Sequence, residues 1–166
     1  MRAFLIKLLG NKPVTSTLLY SGHFLGWNTK DFHSRCDSKF RTVSLFQIED
    51  GDCIGGYTSQ CWESKLRFYG HKADGSAFLF NLTRSRHFPI KDIRAAIRCQ
   101  PDIGPAFGNK ELNAGLEPFN RKDNCMAVAN ELGYNIPIVD GKNQLTNQAD
   151  IYFTISELEV WLLVDE

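Results

Sequence analysis

TVSLFQIEDGDCIGGYTS, residues 42–59, is the stretch on which the reading of the chain turns. Two runs rich in Val, Ile, Leu, Phe, Tyr and Thr flank an acidic cluster. Within it Asp50-Gly51 is the dipeptide favoured by a two-residue hairpin turn, where both positions take positive φ. The stretch therefore reads as a β-hairpin. Side chains alternate along a strand, so Val43 and Leu45 share one face while Phe46 and Ile48 take the other. Both faces are apolar, which places this strand within a layered fold and away from a solvated edge. On the return strand Gly55 and Gly56 give up packing and β-propensity, so another backbone, a bulky ring or a ligand comes close there. Local sequence leaves all three open.

Upstream, Phe4, Leu5, Leu8 and Leu9 fall on one face of a short helix that Gly10 and Pro13 terminate. That helix is expected to pack on the body of the protein. TLLYS, residues 17–21, reads as a strand, and an unusually apolar loop follows through His23, Phe24, Leu25, Gly26 and Trp27. Its rings either fold back onto the core or form a contact patch. Asn28 or Thr29 caps a second helix, with Phe32, Arg35 and Cys36 at helical spacing and Asp37-Ser38 at its end.

Downstream of the hairpin, residues 61–64 read as a turn or short bridge and Leu66 to Tyr69 as strand or loop. Asp74-Gly75-Ser76 turns the chain into AFLFNL, residues 77–82, a continuous apolar run expected to be a buried central strand. Ala95 to Cys99 reads as a further strand. In GPAFG, residues 104–108, Gly104 and Gly108 bracket Phe107, which predicts a fixed loop holding an aromatic in place. Leu112 to Pro118 looks irregular, Ala127 to Leu132 reads as helix or strand, and Ile136 to Asp150 as loop. Last come strands over Ile151 to Ile155 and Val160 to Val164, parted near Ser156 and Glu157. Seven or so short strands with two or three short helices predict an α+β, mostly β domain: two antiparallel sheets stacked as a β-sandwich with peripheral helices. Parallel crossovers would need helices that this pattern lacks.

The chain has 166 residues, enough for one domain that buries roughly 70% of its unfolded surface. We read residues 1–166 as that domain, with a helical lead-in over 1–16 and the sandwich over 17–166. Nineteen basic residues balance nineteen acidic ones, which argues against nucleic acid as the partner. The five cysteines (36, 53, 61, 99 and 125) form no C-x-x-C and no metal-ligand spacing, the usage of a reducing compartment. The apolar run from Ala3 to Ile6 is too short for a secretory signal or a membrane span, so the expectation is a cytoplasmic protein. A basic start with Arg2, Lys7 and Lys12, and no acid before Asp31, also fits a mitochondrial presequence.

Taken in order, LLYSG, TKDFHSRCD, TVSLF, IGGYTS with Trp62 after it, SAFLFNLT, HFPIKD, GPAFG and FTISELEVW resemble the TLDc domain over roughly Thr17 to Trp161. The resemblance implies the same stacked-sheet fold. It also implies a link to oxidative-stress resistance and to binding the cytosolic sector of the vacuolar proton-pumping ATPase, whose assembly TLDc proteins alter. The chain departs from the family pattern at His23-Phe24-Leu25, where a polar, Asp-containing loop is common, and at Phe40-Arg41, where a Gly-Pro pair is common.

For chemistry the sequence offers weaker patterns. It has no G-x-S-x-G elbow and no His-Glu-x-x-His helix; Ser59, His87 and Glu159 are the residues that would have to converge in a hydrolase. A metal site would need His71, His87 and Asp74, and a redox role one exposed thiol near positive charge. Neither glycine pair precedes a Lys-Ser/Thr helix start, so neither is a phosphate loop. The resulting expectation is a non-catalytic interaction domain without cofactor or metal. Phe24, Leu25, Trp27, Tyr57 and Trp62 are the expected partner surface, while Gly55, Gly56, Gly104, Phe107 and Gly108 are structural. The vacuolar ATPase is the first expected partner and a cytoskeletal or other scaffold the second; a small hydrolase or peroxide-handling enzyme is the competing class.

Overall fold

The computed structural model describes residues 2–65, 70–129 and 132–165, so the expectation for Leu66 to Tyr69 lies outside the described residues. Three short helices precede or interrupt the sheets: α1 (Arg2–Leu8), α2 (Gly22–Leu25) and α3 (Thr29–Cys36). The first sheet is built from β1 (Val14–Ser21), β2 (Thr42–Ile48), β3 (Cys53–Thr58), β5 (Phe78–Asn81), β6 (Arg86–Pro89) and β14 (Ile155–Asp165). Its order is β1-β14-β2-β3-β5-β6, antiparallel throughout. The second sheet takes β4 (Gly70–Lys72), β7 (Ile97–Cys99), β8 (Ala106–Phe107), β9 (Leu112–Ala114), β10 (Cys125–Met126) and β13 (Tyr152–Phe153), in the order β13-β10-β9-β8-β7-β4. A two-stranded ribbon, β11 (Ile138–Val139) and β12 (Lys142–Asn143), completes the set. No helix among the described residues is long and apolar enough to cross a membrane.

The two-sided apolar pattern of β2 has a direct structural meaning. Phe46 and Ile48 enter the main core with Ile54, Leu79, Phe107 and Val160. Val43 points the other way, into a second cluster with Tyr57, Phe78, Phe80 and Leu163, against which Leu45 packs. That outer cluster is covered by Phe4, Leu5, Leu8 and Leu9, the apolar face of α1. The central strands β2, β3 and β5 are therefore covered on both faces, which accounts for strands without polar alternation.

Gly55 and Gly56 answer to rings and backbone. A Cβ on Gly55 would fall against the Ser44 carbonyl and 2.7 Å from Phe80 Cζ; one on Gly56 would lie 2.7 Å from the Phe107 ring and 2.8 Å from Leu79 Cδ2. Phe107, carried by the Gly104–Gly108 segment, is fully buried and meets Trp62 edge-on at 5.5 Å. The aromatic that GPAFG was expected to fix is thus the ring that fills the space above Gly56.

Several expectations need correction. The loop after β2 is not a two-residue turn: only Asp50 has positive φ, +50°, while the Ile48 amide donates to Asp52 O and Gly51 N–H to Ile48 O. The two-residue geometry occurs instead at Asp140-Gly141, both with positive φ, where Val139 pairs with Lys142 inside the segment read as loop. The region read as irregular from Leu112 holds β9; of Ala127 to Leu132, read as helix or strand, Ala127 to Ala129 and Leu132 have neither, and residues 130–131 lie outside the described residues. The break expected near Ser156 is a register shift between Ile155 and Glu157 inside one eleven-residue strand, β14. A bulge absorbs the extra residue and lets the strand continue between β1 and β2.

Candidate functional site

The apolar loop after β1 is a built feature. Ser21 caps α2, its hydroxyl accepting from Phe24 N–H and donating to Glu157, whose Oε1 also accepts from the His23 amide at 3.2 Å. The bulge in β14 lies immediately before Glu157, and the carboxylate sits at the amide end of the short helix, where negative charge is favoured. Gly22 leaves room for the Trp27 ring, which a Cβ would approach to 2.9 Å or closer. Trp27 and Leu25 consequently lie half-buried against the core. The turn is closed by Tyr20 OH, which donates to Gly26 O at 2.6 Å, and by Phe119 N–H, which donates to Trp27 O at 2.9 Å. Phe24 is left projecting, 79% exposed, with the His23 ring edge-on at 5.2 Å.

The five residues expected to form one partner surface therefore separate. Trp62 is 1% exposed and sits in the main core beside Phe32 and Phe107, its Nε1 donating to Thr42 Oγ1 at 2.9 Å. Tyr57 is 6% exposed on the opposite face of the sheet, stacked on Phe78 at 5.1 Å. Neither belongs to an accessible surface; both are core residues that a β-strand or bridge draws inward. Sequence reading missed Leu116, 61% exposed on a loop tied to the Trp27–Thr29 segment. The ties are Phe119 N–H to Trp27 O and the Glu117 carboxylate, which accepts from both Thr29 N–H and Thr29 Oγ1. Phe40, in the second departure from the family pattern, is also exposed, at 56%. Both departures thus put a phenylalanine on the surface.

The candidate catalytic residues do not converge. Glu159 pairs with Leu45, Leu45 with Gly55, Gly55 with Phe80 and Phe80 with His87, so Glu159 and His87 stand in one row across four strand spacings, about 19 Å apart. Glu159 instead accepts from Trp161 Nε1 at 2.8 Å. Ser59 is held by Asp74, a buried carboxylate that also accepts from Thr58 Oγ1 and from the amide and hydroxyl of Ser76. Burial alone would raise the Asp74 pKa, but the hydrogen bonds from Ser76, Ser59 and Thr58 outweigh it and hold the carboxyl below 3.8. Such a carboxylate acts as a structural clasp.

Among the described residues no three His, Cys, Asp or Glu come together as a metal cluster. His71 and His87 both have pKa values lowered by burial, His71 with Arg98 adding to the effect. Of the cysteines, burial pushes Cys53 and Cys99 up to about 11 and Cys36 and Cys125 higher still. Cys61 is half-buried, with Lys72 Nζ 3.1 Å from its sulfur; the same ammonium donates to Cys61 O and pairs with Glu63 at 2.8 Å. A second buried carboxylate, Glu111, accepts from the amides of Asn109, Lys110, Gly133 and Tyr134, joining two loops of the second sheet.

A family model for the TLDc domain matches residues 3–164, and the chain belongs to that family. No curated protein matches the sequence.

Proposed function

We propose that this TLDc domain is a non-catalytic, cytoplasmic protein-binding module whose first partner is the cytosolic sector of the vacuolar proton-pumping ATPase, and that any effect on oxidative-stress resistance runs through that partner. The observation that carries the reading is Phe24: a large ring 79% exposed on a helix whose amide end is pinned by Ser21 and Glu157. A pre-positioned aromatic costs little entropy to bury, which suits an interface anchor. Leu116, on the loop clasped to the same segment, adds apolar area at that end of the molecule.

The test is binding of the purified protein to the purified cytosolic sector, followed by interferometry. Phe24→Ala, a substitution on the surface, is expected to weaken binding by roughly 2 kcal/mol, about thirtyfold. Equal affinity in wild type and variant removes Phe24 as the anchor. Absence of binding by the wild type overturns the partner, and crosslinking in cells that recovers scaffold proteins instead replaces it with the cytoskeletal reading.

A further inference from the structure

Helix α1 covers the outer face of the first sheet without filling the space beneath it. An open groove of about 310 Å³ remains between Leu5 and Leu9 of the helix segment and Val43, Leu45, Trp161 and Leu163 of the sheet, and Ser16 is its one polar lining residue among those described. The Trp161 Nε1 is already bonded to Glu159, so the indole presents carbon to the space.

The charges at the two ends differ. At one end Val14 pairs with Asp165, which receives both Arg41 nitrogens at 2.6 and 2.7 Å, and Lys12 lies two residues before Val14, near enough to help hold the Asp165 carboxyl below its ordinary range after the Arg41 hydrogen bond. Two cations there share one carboxylate. Glu159 lies six residues back along β14, about 20 Å away, and carries negative charge toward the other end.

We propose that this groove binds a free fatty acid, its chain between α1 and the sheet and its carboxylate at the Lys12–Arg41 end. The lining selects an apolar body, the helix-over-sheet geometry a slender one, and the charge asymmetry an anionic head pointing away from Glu159. The site lies at the Val14 end of β1, whereas α2 follows its Ser21 end, so it stands apart from the Phe24 surface and goes beyond the binding-module reading.

The experiment titrates the intact chain with 11-bromoundecanoic acid below its micellar concentration and follows tryptophan fluorescence, because bromine quenches an indole it touches. Wild type is expected to show saturable quenching, and Trp161→Phe to lose it while Trp27 and Trp62 still emit. Ser16→Phe, or Ser16→Leu, made at an exposed strand position that lines the groove, should weaken binding at least tenfold with an unchanged circular dichroism spectrum. Lys12→Glu should weaken the acid at least fivefold and leave 11-bromoundecanol unchanged. No saturable quenching of wild type, quenching that survives Trp161→Phe, or unaltered affinity in both Ser16 variants overturns the site. Equal binding of acid and alcohol with no effect of Lys12→Glu overturns the fatty acid as the ligand.

Discussion

Replacing Gly56 by Ala tests how the two sheets meet. Neither Gly55 nor Gly56 has positive φ, so the backbone at both accepts alanine, and the lower entropy of the unfolded chain would then favour the variant by about 0.4–1 kcal/mol. Space decides otherwise. The new methyl at Gly56 would sit 2.7 Å from Phe107 Cε1 and Cζ and 2.8 Å from Leu79 Cδ2, closer than carbon atoms approach, in a core where Phe107 is fully enclosed. Overpacking of this kind costs about 1–3 kcal/mol. Set against the entropic gain, it leaves a net loss of about 1.3 kcal/mol at the midpoints of the two ranges.

Phe107→Leu vacates part of that space. It loses the edge-on contact with Trp62, but in its presence the Gly56 methyl has room. The double variant should be less destabilised than the sum of the singles by at least 1 kcal/mol, well outside the roughly 0.3–0.5 kcal/mol scatter of independent sites. Gly55→Ala supplies the contrast, because its methyl meets the Ser44 carbonyl, a backbone atom that cannot rotate aside, and Phe107→Leu should not rescue it. Urea unfolding followed by tryptophan emission measures the three single and two double variants. Additivity of Gly56→Ala with Phe107→Leu, or a Gly56→Ala variant as stable as wild type, would refute the account of this contact.

Trp62→Ala should cost about 3–5 kcal/mol, since it empties a site in the main core and strips the Thr42 hydroxyl of its partner, whereas Phe24→Ala should stay within about 0.5 kcal/mol of wild type; urea midpoints separate the two. The Asp74 carboxyl is held below 3.8 in the folded chain, so its contribution is present above that pH and is lost as the pH falls through the lowered folded value. Asp74→Asn should be less stable than wild type at pH 7 and lose less stability between pH 5 and pH 2.5, measured by urea titration at each pH; parallel losses in the two proteins would refute it.

How far the sequence reached follows from what each residue type can encode. Alternation on β2 was legible because both faces of that strand are apolar, and the structure gives each face its own cluster. The Gly55-Gly56 pair announced a close approach, but the ring that fills the space above Gly56 lies about fifty residues away at Phe107, and no local pattern carries that distance; Gly55 meets the Ser44 carbonyl and Phe80 instead. The second sheet was least legible: β8, β10 and β13 are two residues each, too short to show a period of two. The turn at Asp50-Gly51 was misread because the dipeptide fits a two-residue loop only where strand pairing ends beside it, as at Asp140-Gly141 but not here. The carboxylate clasps of Asp74 and Glu111 left no signal, since their donors are mostly amides and hydroxyls that any sequence supplies.

Covering the central strands of the first sheet on both faces also decides where contact residues can lie. Tyr57 and Trp62 have the chemistry of interface anchors, yet a strand with core on one side and α1's cluster on the other, and a bridge folded beneath it, leave them no route to the surface. The two most exposed phenylalanines, Phe24 and Phe40, both lie where the chain leaves the sheets. In the loop after β1 sequence alone cannot separate Trp27, which folds back, from Phe24, which does not. Gly22 makes the separation: without a Cβ it admits the Trp27 ring, while the cap formed by Ser21 and Glu157 fixes the helical turn from which Phe24 projects. A side chain at Gly22 would therefore displace Trp27 from the core and disturb the presentation of Phe24 together, so packing and the proposed contact surface are coupled through one residue.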